Sequence, residues 1–299
     1  MTDLDGRVIA ITGAGRGIGR EHALLLARCG ARVVVNDIGG GTDGVGRDEG
    51  PAAALAEEIR AIGGEAVANT DDMADTTGGD RLVAAALDAF GTLDGLVNNA
   101  GIIRDRTLTN MTDEDWDVSL RVNLRATFVP SRAAARYWRE RAKGGDPVRA
   151  AIVNTSSESG VFGNAGQSNY AAAKAGVASL TEVWHKELSR YGVRVNGILP
   201  RARTRLTEQL MPARRVDQFD AQDPANVSPF VAYLLSGRCA FSGQVFLVGG
   251  GLVQRAAPWT LDPAWRLDAG GRWEVDALAD AIDELGPPTN AGRDSGFVR

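Results

Sequence analysis

Short apolar runs alternate along the chain with longer stretches whose apolar positions recur at helical spacing. RVIAIT (7–12), ARVVVND (31–37), EAVANTDD (65–72), LDGLVNNAG (93–101), AAIVNT (150–155), GVRVNGILP (192–200) and QVFLVGGG (244–251) read as seven buried strands. Between them lie IGREHALLLARCG (18–30), closed by Gly30 as a C′ residue, and PAAALAEEIRAIGG (51–64), with Pro51 in its first turn. Further helices are predicted at Asp80–Phe90, from about Thr112 to Lys143, after Asn169, and over VSPFVAYLLSG (227–237). Interior Pro130 predicts a kink in the long helix. Strict strand–helix alternation implies an α/β fold with a doubly wound parallel seven-stranded sheet, whose ligand crevice lies at the carboxyl ends of the strands.

The alternation ends near residue 250. Residues 1–250 are read as one domain built on this sheet. Residues 251–299, with Trp259, Trp265, Trp273 and one helical segment, EVDALADAIDELG, are read as an extension packed on the core or on a neighbouring subunit. Residues 200–225 lack periodicity and read as a lid over substrate.

Several strand ends carry chemistry. TGAGRGIG (Thr12–Gly19) joins the first strand to a helix, the context of a phosphate-binding turn. Glycines at 13, 17 and 19 let the backbone approach a pyrophosphate, and the helix start offers free N–H groups and a positive dipole. Asp37, about 20 residues on, is placed to bind ribose hydroxyls and to repel a 2′-phosphate, which favours NAD over NADP. Arg16, inside the loop, would instead attract such a phosphate. Asp71 ends the third strand within reach of an adenine, or caps the following helix. Asn98, Asn99, Ala100 and Gly101 end the fourth strand in small and amide residues suited to close approach of a cofactor. Asn123 interrupts a helix between apolar neighbours, as a buried polar contact or as the holder of a relay water.

In SESGVFGNAGQSNYAAAK (157–174), Tyr170 and Lys174 share one helix face at i and i+4. A nearby ammonium favours the phenolate, so Lys174 is expected to lower the Tyr170 pKa toward neutrality. Ser157 follows the fifth strand and would hold a substrate oxygen against Tyr170.

Composition narrows the partners. A net charge of −5 over 299 residues argues against nucleic acid or an anionic membrane as the main partner. Lys174 is one of only three lysines, with Lys143 and Lys186, so its place beside Tyr170 is less easily chance. Cys29 and Cys239 read as reduced core thiols. His22 and His185 lie in helical patterns, and no cluster resembles a metal site. With no signal peptide and no long apolar run, the expected location is cytoplasmic.

TGAGRGIG, NNAG, Asn123, Ser157, YAAAK and the Pro200–Thr204 segment occur together and in order, over about residues 5–250. The chain thereby resembles the short-chain dehydrogenase/reductase family, which implies a Rossmann fold and a homodimer or homotetramer. The resemblance makes Tyr170 the acid/base, Lys174 its pKa-lowering and ribose-binding partner, Ser157 the substrate orienter and Asn123 the holder of a relay water. It places Gly13, Arg16, Gly17, Ile18, Gly19, Asp37, Asp71, Asn98, Ala100, Gly101, Pro200 and Thr204 around the cofactor, with Thr204 at the nicotinamide amide. Arg201 departs from the glycine usual after Pro200. VVVNDIGGG, NNAGIIRDR, DEDWD and NTSSESGVFGNAGQSNYAAAKAG further resemble the dehydrogenase domain of peroxisomal multifunctional enzyme type 2 and its free-standing bacterial homologues, which include steroid-pathway 3-hydroxyacyl-CoA dehydrogenases. The activity implied is NAD-dependent oxidation of a 3-hydroxyacyl-CoA or a steroid alcohol. Two other readings stand beside it: an NADPH-dependent 3-oxoacyl reductase or hydroxysteroid dehydrogenase acting on a free ketone, and a non-catalytic dinucleotide sensor. Arg201, Arg203 and Arg205 are candidates for the CoA phosphates, or form a solvated basic loop.

Overall fold

The computed structural model describes residues 4–41, 43, 46–203, 219–257 and 260–286. Its strands are β1 (Val8–Thr12), β2 (Arg32–Asn36), β3 (Glu65–Asn69), β4 (Gly95–Asn98), β5 (Ala150–Thr155), β6 (Val193–Pro200), β7 (Val245–Gly249) and β8 (Leu252–Ala256). They form one sheet in the order β3-β2-β1-β4-β5-β6-β7-β8. All neighbours from β3 to β7 pair in parallel, and β8 pairs antiparallel to β7. The order reverses between β1 and β4, which opens a crevice at their carboxyl ends.

Buried strands with helices on both faces explain the continuous apolar runs. Along β1, Ile9 and Ile11 face one core with Val33, Val35, Val97 and Val153. Val8 and Ala10 face the other, with Val34, Leu96, Ile152 and Val195. Helices α1 (Gly17–Arg28), α2 (Gly50–Ala61) and α8 (Ser228–Leu235) cover the first face. Helices α3 (Gly78–Phe90), α5 (Ala126–Lys143) and α7 (Ser168–Leu188) cover the second.

Two elements differ from the sequence-based expectation. The long helix is not one element, although its last part runs on through Pro130. It divides upstream into α4 (Asp113–Leu120), a π-helical turn (Arg121–Arg125) and α5. Pro130 withholds the N–H that would bond the Ala126 carbonyl, and the wide turn lies immediately before that residue. A Cβ on Gly79 would come within 2.5 Å of the Val129 carbonyl oxygen, so α3 packs directly on the α5 backbone there. The second difference is β8, an eighth strand in the stretch assigned to the extension. Gly250 (φ 57°) and Gly251 (φ 87°) form a two-residue turn with positive φ at both positions. The chain thereby returns along β7. Four of the five β8 residues are exposed, so the strand lacks the apolar signature that marked the other seven.

Contacts group the chain into Met1–Ala256 and Ala257–Arg299. In the second unit, α9 (Val275–Leu285) ends at Gly286, whose carbonyl accepts from Trp265 Nε1 at 2.9 Å.

Candidate active site

The turn after β1 is built for close backbone approach. Gly13 has φ 61°, and a Cβ there would come within 2.7 Å of the Ala100 Cα. Gly17 has φ 57°. A Cβ on Gly19 would meet the Gly13 carbonyl oxygen at 2.3 Å. Helix α1 opens without a side-chain cap and without an acidic residue in its first turn, which leaves its N–H groups and positive dipole for an anion. Ile18 packs into the core beneath.

Asp37, just beyond β2, accepts from the Gly15 N–H at 2.8 Å and the Gly39 N–H at 2.7 Å. Its carboxylate is thus locked to the loop by main-chain donors. Arg16 lies 3.8 Å from Asp48, a largely exposed pair of small energetic weight. The sequence reading named Thr12 only as the start of the loop and missed what it does. Thr12 Oγ1 accepts from the N–H groups of Asn99 (3.0 Å) and Ala100 (3.1 Å), and Asn99 Nδ2 donates to the Gly13 carbonyl at 2.9 Å. These bonds join the ends of β1 and β4 at the switch point.

Asn98, by contrast, points into the protein. Its side chain donates to Ser131 Oγ and Asn154 Oδ1, each at 2.8 Å, and Asn154 donates to Thr181. Alternation along β4 sends Asn98 inward, beside Asn99 that reaches the loop. Asp71 accepts from Asn69 Nδ2 at 2.8 Å and pairs with Arg81. It borders a cavity of about 500 Å³ lined also by Arg47, Asp72, Arg121 and Arg125.

Ser157, Tyr170, Lys174 and Asn123 converge beside this crevice. Ser157 caps α6 (Glu158–Phe162) by accepting from the Ser159 N–H, and its hydroxyl lies near enough to the Tyr170 phenol to favour the phenolate. Lys174 Nζ donates to the Thr155 carbonyl at 2.8 Å and lies 5.6 Å from the Tyr170 ring centroid. Asn123 lies in the π-turn. Its Nδ2 donates to the carbonyls of Ser119 and Ile102, both at 3.1 Å, and its Oδ1 accepts from the Ile102 N–H at 3.2 Å. A Cβ on Gly101 would meet Asn123 Oδ1 at 2.9 Å and Lys174 Nζ at 3.4 Å, so these two side chains face one point.

The sequence did not single out Asp105, Gln167 or Asn169. Gln167 Nε2 donates to both Asp105 oxygens at 3.1 Å, and Ser159 Oγ donates to Gln167 Oε1 at 2.7 Å. Asn169 Nδ2 donates to the Arg104 and Asp115 carbonyls, tying the loop after β4 to the start of α7. Their signal lay in two stretches read for resemblance, NNAGIIRDR and GNAGQSNYAAAK.

Electrostatics here differ from the simple Tyr–Lys expectation. Burial pushes the Tyr170 phenol up to about 12; the Ser157 hydrogen bond pulls it down, and the Asp105 charge adds to the rise. Burial lowers the Lys174 ammonium to about 8. Desolvation thus outweighs the pull of the cation on the phenol in this state. Both shifts make stability depend on pH. Lys174, depressed in the fold, contributes stability that is present above its ordinary 10.5 and lost as pH falls through about 8. Tyr170 has the opposite sign, contributing below its ordinary 10 and losing that as pH rises through about 12. Lys174→Met should therefore flatten the rise in Tm that the unsubstituted protein shows between about pH 8 and 10. Equal slopes in the two proteins would refute this assignment.

Pro200 ends β6 beside these residues, and Thr204 and Arg205 lie outside the described residues. Arg201 forms two bonds to Glu158, at 2.6 and 2.8 Å, and Arg203 pairs with Asp220 at 2.5 Å. Both guanidinium groups are thus engaged with carboxylates of the same chain, which weighs against their serving as ready phosphate donors. Among the described residues no group of three or more His, Cys, Asp or Glu side chains could hold a metal ion, and no helix is long and apolar enough to cross a membrane.

A family model described as short chain dehydrogenase matches residues 7–215. Hydroxyacyl-CoA dehydrogenase ChsB1 of Mycobacterium tuberculosis is 42% identical, the match covering 98% of this chain and 91% of that protein. Mouse peroxisomal multifunctional enzyme type 2 is 43% identical over 83% of this chain, which corresponds to 32% of the mouse protein. The crystal structure of a short chain dehydrogenase from Mycobacterium avium superposes with a TM-score of 0.85 at 46% identity, covering 96% of this chain and 98% of that one.

Proposed function

The chain belongs to the short-chain dehydrogenase family, an oxidoreductase acting on hydroxyl groups, and from that premise we propose that it interconverts a 3-hydroxyacyl-CoA and its 3-oxoacyl-CoA with NAD(H). The observation that carries the chemistry is the Ser157 hydroxyl placed beside the Tyr170 phenol with Lys174 behind it, at the carboxyl ends of β4 and β5. The thioester substrate is supported by similarity to hydroxyacyl-CoA dehydrogenase ChsB1 over 98% of this chain. A nicotinamide dinucleotide fits the chain's own residues. The glycine turn and open α1 terminus suit a diphosphate, and the locked Asp37 carboxylate suits a ribose diol.

When bound, NAD⁺ would supply the hydride acceptor. Tyr170 takes the hydroxyl proton in oxidation and returns it in reduction. Ser157 orients the reacting oxygen. Lys174 would hold the ribose of a bound dinucleotide, and Asn123 would hold a water that passes the proton outward. Gly13, Arg16, Gly17, Ile18, Gly19, Ala100, Gly101 and Pro200 would border the dinucleotide, and Asp71 would hold its adenine. The Asn98 side chain supports β4 from within. The working form is a cytoplasmic homodimer or homotetramer.

The deciding assay is NADH oxidation with a short 3-oxoacyl-CoA, beside NADPH and beside a ketosteroid lacking CoA. Faster turnover with NADH and the thioester is expected. Turnover of the free ketone alone would remove CoA from the reading and leave the oxidoreductase intact. Asp37→Ala should raise kcat/KM for NADPH relative to NADH by about 10-fold or more, since the carboxylate then no longer repels a 2′-phosphate. An unchanged ratio would show that cofactor choice lies elsewhere.

A further inference from the structure

We propose that the ion pair between Glu158 and Arg201 is a positioning clamp for the substrate side of the active site, an inference that rests on the oxidoreductase reading above. Glu158 directly follows Ser157 and is 8% exposed. Arg201 directly follows Pro200. Their bonds are bidentate, Nε to Oε2 at 2.8 Å and the terminal nitrogen to Oε1 at 2.6 Å. A fork of this kind is directional, unlike a surface pair, and a largely buried carboxylate left without its partner is costly.

Each half of the pair is anchored to a different part of the crevice wall. The turn that carries Glu158 rests on α7: a Cβ on Gly160 would meet the Ala175 nitrogen at 2.5 Å and the Lys174 carbonyl carbon at 2.6 Å. Arg201 rests on β7. Its N–H donates to the Val248 carbonyl at 2.8 Å, and a Cβ on Gly249 would meet the Arg201 carbonyl oxygen at 2.5 Å. The pair therefore bridges the piece that presents Ser157, backed by Lys174, and the piece that leaves β6. A side chain at 201 has a role that glycine could not fill. Loss of the bridge lets α6 shift, and Ser157 moves off the substrate oxygen with it. The clamp acts through Ser157 and touches neither substrate nor cofactor.

The test uses E158Q, R201Q, R201K and the double variant E158Q/R201Q in the full chain. Wild type is first screened on the thioester and ketone panel, and all variants are then measured on the substrate it turns over. Misplacing an orienting group by about 1 Å costs up to about 100-fold, so each glutamine variant should lose about 30-fold in kcat. The Kd for NADH, from fluorescence titration, should change far less than kcat, by no more than about 3-fold, because the glycine turn and Asp37 are untouched by the pair. R201K should recover only part of the loss, since an ammonium cannot form the fork. The double variant should be no worse than the worse single variant. A lowered Tm with kcat and KM unchanged, or losses that multiply in the double variant, would overturn the clamp. If wild type turns over nothing on the panel, the function reading fails, and hydrogen exchange over residues 156–163 judges the clamp alone. Faster exchange there in R201Q, with exchange in α1 unchanged, supports it, and unchanged exchange overturns it.

Discussion

Tyr170→Phe should lower kcat by about 10³-fold while leaving the Kd for NADH within about 2-fold of wild type. The substitution removes one oxygen and keeps the ring that lies 5.6 Å from Lys174 Nζ. Packing at the start of α7 is preserved, because Asn169, not the phenol, ties that turn to the loop after β4. Ser157 keeps its bond from the Ser159 N–H, so the α6 cap survives. What disappears is the proton carrier, and positioned proton transfer contributes about 10²- to 10⁴-fold. Stopped-flow turnover beside fluorescence titration of NADH separates the two quantities. Retention of most activity would move the acid/base role away from Tyr170 and undo the mechanism.

Gly19→Val should weaken NADH binding by about 100-fold or more, the second large effect. Three groups of the turn crowd this position. A Cβ would stand 2.3 Å from the Gly13 carbonyl oxygen, 2.5 Å from Asn99 Nδ2 and 2.9 Å from the Ala14 Cα. None of these is the free end of a flexible chain, so the turn itself must move. Its movement breaks the Asn99–Gly13 bond and shifts the first N–H groups of α1, which are the groups that meet a diphosphate. A displaced anion site is worth several kcal/mol of binding, which the stated 100-fold loss samples only in part. Isothermal titration with NADH, run below the Tm of the variant, measures the effect. Binding within a few-fold of wild type would show that the dinucleotide does not rest on this loop.

Local chemistry made much of this protein legible in its sequence. β1, the glycine turn and α1 follow from a buried apolar run, residues able to take positive φ, and an uncapped helix start. Tyr170 and Lys174 fall on one face because helical spacing places i and i+4 together. Gly30 closes α1 with φ 86°, as its position foretold. Most of the parallel strands could be read because they are buried on both faces and therefore largely apolar, although edge strand β3 exposes two of its five residues. β8 escaped that test by being exposed.

Tertiary structure decided what depends on partners distant in the chain. Asn98 and Asn99 are identical side chains in adjacent positions, yet one bonds Ser131 and Asn154 in the interior and the other bonds the Gly13 carbonyl. Strand alternation separates them, but only the assembled sheet shows which face holds the cofactor loop. The long helix is interrupted at Arg121–Arg125 by a π-turn, where Asn123 bonds Ile102. Arg201 read as a cation available to phosphate until the fold brought Glu158, 43 residues earlier, against it. The sign of the Tyr170 shift was likewise set by burial, which no spacing reveals. Sequence determines which groups are present and how near neighbours are spaced. Desolvation and long-range pairing determine what those groups do, and both exist only once the chain has folded.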